Sequence, residues 1–219
     1  MFSNQSPLFT FRGPFGVPVE VGPSILLLLL IFVDFGGTSQ TLTYDLMFFA
    51  LVVLSIFLHE FGHAWGCIVQ GVPVRRVVIY GGGGFCESVR SGTRREEELI
   101  VAMGPIVNLV LWAVASLLWP SIDNQSLQWV VWAVGWINGF LAILNLLPVL
   151  PLDGGKLLQL GLLRLMPRST ATRLAGTIGL VVSLLWLPAM LAAWYYLGFV
   201  LFFLPSIALH WRMAKGEIA

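Results

Sequence analysis

Long apolar runs separated by short polar or Gly/Pro-rich stretches set the pattern of this chain. Leu46–Val69, Leu99–Trp119 and Leu127–Leu147 each have the length of a membrane-crossing helix, which needs ~20 mostly apolar residues rising ~1.5 Å each through a ~30 Å hydrocarbon core. Two further runs fit with adjustment. The Leu-rich centre Ser24–Val33 is short, so a span there must reach back to Val17 across Glu20. Residues 172–211 are about twice the needed length and divide at a turn near Trp194–Gly198. The pattern therefore predicts about six transmembrane helices, at 17–35, 46–69, 99–119, 127–147, 172–193 and 195–211, in a single membrane-embedded domain over 1–219. A signal-peptide reading of Ser24–Val33 lacks the basic flank and small-residue cleavage site it requires. Between the second and third spans, Pro73–Tyr80 is apolar and β-branched and runs into Gly81–Gly84, which predicts a strand entering a glycine turn. Phe9–Val21 alternates in part and is expected to pair with it. The expected fold class is an all-α polytopic membrane protein with a small β-sheet at the cytoplasmic face.

Composition agrees with the pattern. Of 219 residues, 58% are hydrophobic and 11% charged, against roughly 45–50% and 25% in soluble domains. The 12 Lys and Arg balance 11 Asp and Glu, so there is no basic footprint and nucleic-acid binding is excluded. Where those cations fall orients the chain. Arg12, Arg75, Arg76, Arg90, Arg94, Arg95, Lys156, Arg164, Arg168, Arg173, Arg212 and Lys215 all lie on one side of the six-span topology, which the positive-inside rule makes cytoplasmic. A multi-pass protein of the cell membrane with both termini in the cytoplasm is the expectation. Trp119, Trp129 and Trp211 sit at span ends, where indole rings favour the headgroup level. Two cysteines make no disulfide framework, and Cys67 and Cys86 are read as small apolar fillers. His210 is read as an interfacial histidine at a span end.

Inside the second span the chain reads His59-Glu60-Phe61-Gly62-His63, an H-E-x-x-H motif. Helical positions i and i+4 lie about 40° apart, so both imidazoles reach one ion and the intervening glutamate approaches the same place. Three ionisable groups in five membrane residues are costly at roughly 2.5–3.5 kcal/mol each on insertion scales, and such groups default to function. The chemistry expected is one zinc per chain, with Glu60 as general base, a third protein ligand and an open position for water. Two histidines and a carboxylate also suit non-haem iron. Asp153, in Asn145-Leu146-Leu147-Pro148-Val149-Leu150-Pro151-Leu152-Asp153-Gly154-Gly155, is the candidate third ligand. Glu87 or Glu96–Glu98 are alternatives, although the glutamate run reads as a solvated helix start. Pro148 and Pro151 break the helix, and freed backbone at membrane depth marks protein or a water-filled cavity.

These motifs together resemble the site-2 protease family of intramembrane zinc metalloproteases. The resemblance rests on His59-Glu60-Phe61-Gly62-His63, on Gly104-Pro105 with Asn108 in the next span, and on Asn145-x-x-Pro148 running to Asp153-Gly154. Gly16-Val17-Pro18-Val19 is similar to the family's N-terminal strand, and the likeness extends through about Gly155. It implies that His59, His63 and Asp153 bind zinc, that Glu60 activates water, and that Asn145 positions the scissile peptide or its oxyanion. Gly104-Pro105 is expected to let helices approach closely, and Asn108 to make a buried hydrogen bond. The accessory peptide-binding and nucleotide-sensing domains common in the family do not fit in this length, so a minimal catalytic core is expected.

The implied reaction is hydrolysis of a peptide bond in a transmembrane substrate, as in regulated intramembrane proteolysis. A single-span membrane protein, cut elsewhere beforehand, is the expected partner within the lipid bilayer. Because a substrate helix must unwind before attack, Ile79, Tyr80, Gly81 and Gly82 are candidates to hold it as an added strand on the edge of Val74–Tyr80. Oligomeric state is left open. The competing readings are a catalytically inactive membrane scaffold and a metal-transport protein, in which intramembrane His and Asp would mark an ion path.

Overall fold

A computed structural model of the chain describes residues 6–197 and 203–218. They form four strands and seven α-helices in two compact units, 1–142 and 143–219.

The first unit contains β1 (Phe9–Arg12), β2 (Pro18–Val21), α1 (Ile25–Phe32), α2 (Ser39–Val69), β3 (Val74–Tyr80), β4 (Gly83–Ser88), α3 (Arg94–Leu118) and most of α4 (Gln125–Asn145). The sheet order is β1-β2-β3-β4, with β2 and β3 parallel and the outer pairs antiparallel. Strand alternation sends Val19, Val21, Val77 and Ile79 inward. There they join Val52, Ile56 and Ala64 of α2 and Ala133 and Ile137 of α4 in one apolar core. On β2, β3 and β4, Arg76 bridges Glu20 at 2.8 Å and Glu87 at 2.7 Å.

Two helix starts follow from side-chain chemistry. Thr38 accepts from the Thr41 amide and starts α2. Thr93 and Glu96 form a reciprocal capping box at α3, so the glutamate run that competed as a ligand is partly occupied in starting a helix. α2 and α3 approach closely because Gly62 and Gly66 carry no side chain: a Cβ at Gly62 would lie 2.7 Å from the Met103 carbonyl oxygen, and one at Gly66 3.0 Å from Ile100 Cα.

The first expected span is corrected. Residues 18–21 are a strand, and the helix that follows has only 8 residues, about 12 Å of rise. The sheet explains the shortfall. Val21 pairs with Ile79, and Gly84 on the neighbouring strand lies against Glu60, so the chain leaves β2 near the level of Glu60, in the last third of α2. By Asp34 its amide donates to Asp45 near the start of α2 at 3.0 Å. The strand pairing takes residues 18–21 out of the expected helix, and α1 is not among the helices long enough to cross.

The second unit comprises the end of α4, α5 (Asp153–Leu165), α6 (Arg168–Leu197) and α7 (Ile207–Lys215). α6 continues through the expected turn at Trp194, and α7 is 9 residues long, too short to cross at about 14 Å. The rest of the expected 195–211 span, residues 198–202, lies outside the described residues. Among the described residues four helices are long and apolar enough to cross a membrane: Ser39–Val69, Arg94–Ser121, Gln125–Asn145 and Arg168–Ala193. The chain is therefore a mostly helical, multi-pass membrane protein with a small sheet, and four of the six expected spans appear among the described residues.

Candidate metal centre

The buried face of α2 repeats at helical spacing through Val52, Ser55, Ile56, His59, Glu60, His63, Ala64 and Cys67. His59, Glu60 and His63 thus lie on the face packed in the first unit, at 5%, 6% and 8% exposure.

Each imidazole is fixed through its Nδ1. His63 Nδ1 lies 2.8 Å from the Ile100 carbonyl oxygen, which can only accept, so the proton sits on Nδ1 and Nε2 presents a lone pair. His59 Nδ1 lies 2.5 Å from Asn108 Oδ1. Asn108 in turn donates to Asn138 Oδ1 at 2.7 Å, and Asn138 donates to Ser55 Oγ at 3.0 Å and to the Val134 carbonyl at 2.9 Å. This chain of amides assigns Asn108 Oδ1 as the acceptor, which puts the His59 proton on Nδ1 as well. The two Nε2 atoms then face each other 3.2 Å apart, both carrying lone pairs. Two such lone pairs repel unless a cation lies between them. Nitrogens bound at ~2.0–2.1 Å in a tetrahedral shell lie about 3.3 Å apart, so the pair has the spacing of a metal chelate.

Two glycines make room for this cluster. A Cβ on Gly104 of α3 would collide with His63 Nε2 and come within 2.8 Å of His59 Cε1. Gly104-Pro105 thus serves imidazole clearance in addition to the close helix packing expected of it. On β4, a Cβ at Gly84 would strike the Glu60 side chain, reaching 3.0 Å from Oε1. Glu60 is therefore held between its own helix and a bare stretch of strand. Tyr80, on β3, has its phenol pushed up by burial and then by the charge of Glu60, so it stays protonated.

The expected docking strand is corrected by the topology. β3 is interior, with Ile79 paired to Val21 on one side and to Gly84 on the other, and the Gly22 amide also donates to the Ile79 carbonyl at 2.8 Å. Ile79 and Tyr80 have no open ladder to offer, and the Gly81 amide is taken by Ser24 Oγ at 3.1 Å. The terminal strand nearest Glu60 is β4, whose outer ladder faces away from β3.

In the second unit, Asn145 ends α4 half-buried, and Asp153 opens α5, 7% exposed. A carboxylate in the first turn is favoured by the helix dipole. Gly154 and Gly155 let the 146–150 turn press onto this helix start, since a Cβ at Gly155 would come 2.6 Å from the Leu150 nitrogen. His210 is not interfacial. It is 1% exposed, and its Nε2 accepts from the Leu150 amide at 3.1 Å.

Asn138 and Ser55 were not singled out from sequence. The signal was present, since an amide within an apolar span must find a partner, but its pairing to Asn108 needs the packing of α3 on α4. Cys67, read as a filler, is buried on α2, and Cys86, read likewise, is half-buried on β4.

The model of peptidase family M50 matches residues 47–123 and 119–187. The chain belongs to peptidase family M50. A zinc metalloprotease of Methanocaldococcus jannaschii is 25% identical over 174 residues, covering 78% of this chain and 50% of the relative. A Synechocystis protein is 31% identical over 159 residues, 66% of this chain and 41% of its own length. Stage IV sporulation protein FB of Bacillus subtilis is 29% identical over 162 residues, 68% of this chain and 54% of that protein. The chain thus spans about half the length of these relatives. The solved site-2 protease from Methanocaldococcus jannaschii superposes with a TM-score of 0.62 at 22% identity, covering 95% of this chain and 92% of that one. That likeness bears on the fold, which is that of the site-2 proteases.

Proposed function

We propose that this M50 chain is an intramembrane zinc metalloprotease that hydrolyses peptide bonds of transmembrane proteins, with His59, His63 and Asp153 as ligands to one zinc ion. The observation that carries the reading is the pair of Nε2 lone pairs held 3.2 Å apart by acceptors on both Nδ1 atoms. Asp153 is the third ligand by donor type, by its burial, and by the resemblance of Asp153-Gly154 to the motif of the site-2 proteases. Zinc is chosen over iron because the Methanocaldococcus jannaschii relative is a zinc metalloprotease. When bound, zinc lowers the pKa of its water to about 7 and polarises the scissile carbonyl.

The chain's own groups do the rest. Glu60 takes a proton from the attacking water and returns it to the amine nitrogen released when the C–N bond breaks, so no covalent enzyme intermediate forms. Asn145 positions the peptide carbonyl. The outer edge of β4 receives the unwound substrate as an added strand, with Gly81 and Gly82 forming the turn that delivers it beside Glu60. The substrate is a single-span membrane protein already cut elsewhere, and Arg75, Arg76, Arg90, Arg94 and Arg95 between α2 and α3 support a cytoplasmic side for the site.

The test is zinc content measured beside cleavage of a single-span substrate by purified protein in detergent, for wild type and Glu60→Gln. The protease reading expects zinc retained and cleavage lost in the variant. Unchanged cleavage removes Glu60 from its role, and zinc without cleavage in either protein favours an inactive scaffold or a transporter.

A further inference from the structure

The second unit contains a buried histidine that the proteolytic reading leaves unused. The turn between α4 and α5, residues 147–152, includes two prolines and hence four amides. Every buried amide needs an acceptor. Leu147 donates to Leu144 at 3.2 Å, Val149 to Leu147 at 2.7 Å and Leu152 to Val149 at 3.0 Å. The remaining amide, Leu150, leaves the turn and donates to His210 Nε2 on α7 at 3.1 Å. His210 Nδ1 lies 2.8 Å from the Ser206 carbonyl oxygen, which fixes the proton on Nδ1 and leaves Nε2 as the acceptor that Leu150 needs. The ring is held in turn by α6: a Cβ at Gly179 would strike it, and Ser183 Oγ lies 3.4 Å from Nδ1.

From this geometry we infer that His210 is a positioning residue for the metal centre: through the Leu150 amide it clamps the turn that aims Asp153. The inference rests on Asp153 being a zinc ligand. The route is short. Gly155 packs against Val149 and the Leu150 nitrogen, and Gly154 against the Leu146 and Leu147 carbonyls, so movement of the clamped turn is passed directly to the first turn of α5, where Asp153 sits. A His210 side chain that only filled space would be replaceable by any ring of similar size, whereas a clamp requires an acceptor at Nε2.

The experiment uses the full chain in detergent as wild type, His210→Phe, His210→Gln and Asp153→Ala. Hydrogen exchange over residues 147–152 is read on zinc-free protein, and zinc affinity by competition with a chelator. Wild type is expected to protect the Leu150 amide as strongly as the amides of α5. Phe keeps bulk without the acceptor and is expected to lose that protection and to weaken zinc by about 10–100-fold, the usual effect of removing a group that orients a ligand. Gln, which offers an acceptor oxygen, is expected to restore both. Exchange of Leu150 at loop rates in wild type overturns the clamp without needing any variant to fold. Wild-type zinc affinity in His210→Phe, or equal weakening in Gln and Phe, overturns the positioning role. Wild-type zinc affinity in Asp153→Ala instead sinks the three-ligand reading, and with it the metal half of this inference, while the exchange data still report on the clamp.

Discussion

Gly104→Ala adds one methyl group where the two imidazoles meet. An ideal Cβ there lies 2.5 Å from His63 Cε1 and 2.8 Å from His59 Cε1. Non-bonded carbons settle at ~3.5–4.0 Å, so the rings must retreat by about 1 Å. Neither can do so freely, because His59 is tied to Asn108 at 2.5 Å and His63 to the Ile100 carbonyl at 2.8 Å. Metal–ligand distances tolerate only about 0.2 Å of error, so a displacement of this size takes at least one nitrogen out of range. Overpacking of this kind costs ~1–3 kcal/mol, and carried into metal binding that corresponds to roughly 5- to 150-fold in affinity at 1.4 kcal/mol per tenfold. Zinc affinity by chelator competition and thermal melting of the detergent-solubilised protein are the assays. Gly161→Ala on α5 is the control, since nothing lies within 4 Å of its would-be Cβ, and it should leave zinc unchanged and gain up to about 1 kcal/mol of helix stability. Zinc binding at wild-type affinity in Gly104→Ala would refute the placement of the ligand nitrogens.

Asn108→Leu leaves the His59 Nδ1–H and Asn138 Oδ1 unpaired in a buried site, at about 1–3 kcal/mol for each orphaned group. A lowered melting temperature together with at least about tenfold weaker zinc is expected, and Asn108→Asp should recover much of the zinc affinity by keeping the acceptor. Chelation by phenanthroline should abolish substrate cleavage, and stoichiometric zinc should restore it. The carboxyl of Glu87 is held below the ordinary range chiefly by its hydrogen bond from Arg76. Its contribution is therefore present above the unfolded value of about 4.3 and disappears as pH falls through the lower folded value. Exchange of the β3 and β4 amides should accelerate in that acid window in wild type and show less pH dependence in Arg76→Met.

Several features were legible because they depend on neighbours in the chain. The 46–69, 99–119 and 127–147 runs appear as α2, α3 and α4 with ends shifted by up to seven residues, since helix length and apolarity are local properties. His59, Glu60 and His63 share a face because their spacing and the helical period require it. The strand at Pro73–Tyr80 and its glycine turn were read the same way. The first span failed for the opposite reason. Its Leu-rich core reads as membrane helix, and only the pairing of Val21 with Ile79 shows that the sheet has taken over part of its path. Topology likewise moved the open edge from β3 to β4, because strand order involves partners some 60 residues apart.

Spacing and residue type alone therefore determined the membrane class and the H-E-x-x-H pair and offered Asp153 among the carboxylate candidates, since each is encoded within a few turns of one segment, whereas Asn145 entered through the family resemblance. What faces those residues was decided in three dimensions. Asn108, Asn138 and Ser55 come from three different helices, the clearances at Gly84 and Gly104 belong to elements far along the chain from α2, and His210 meets Leu150 across 60 residues. Hydrogen bonds and steric clearances act over a few ångströms of space, whatever the distance along the backbone, and a linear pattern carries no record of which distant groups will arrive there.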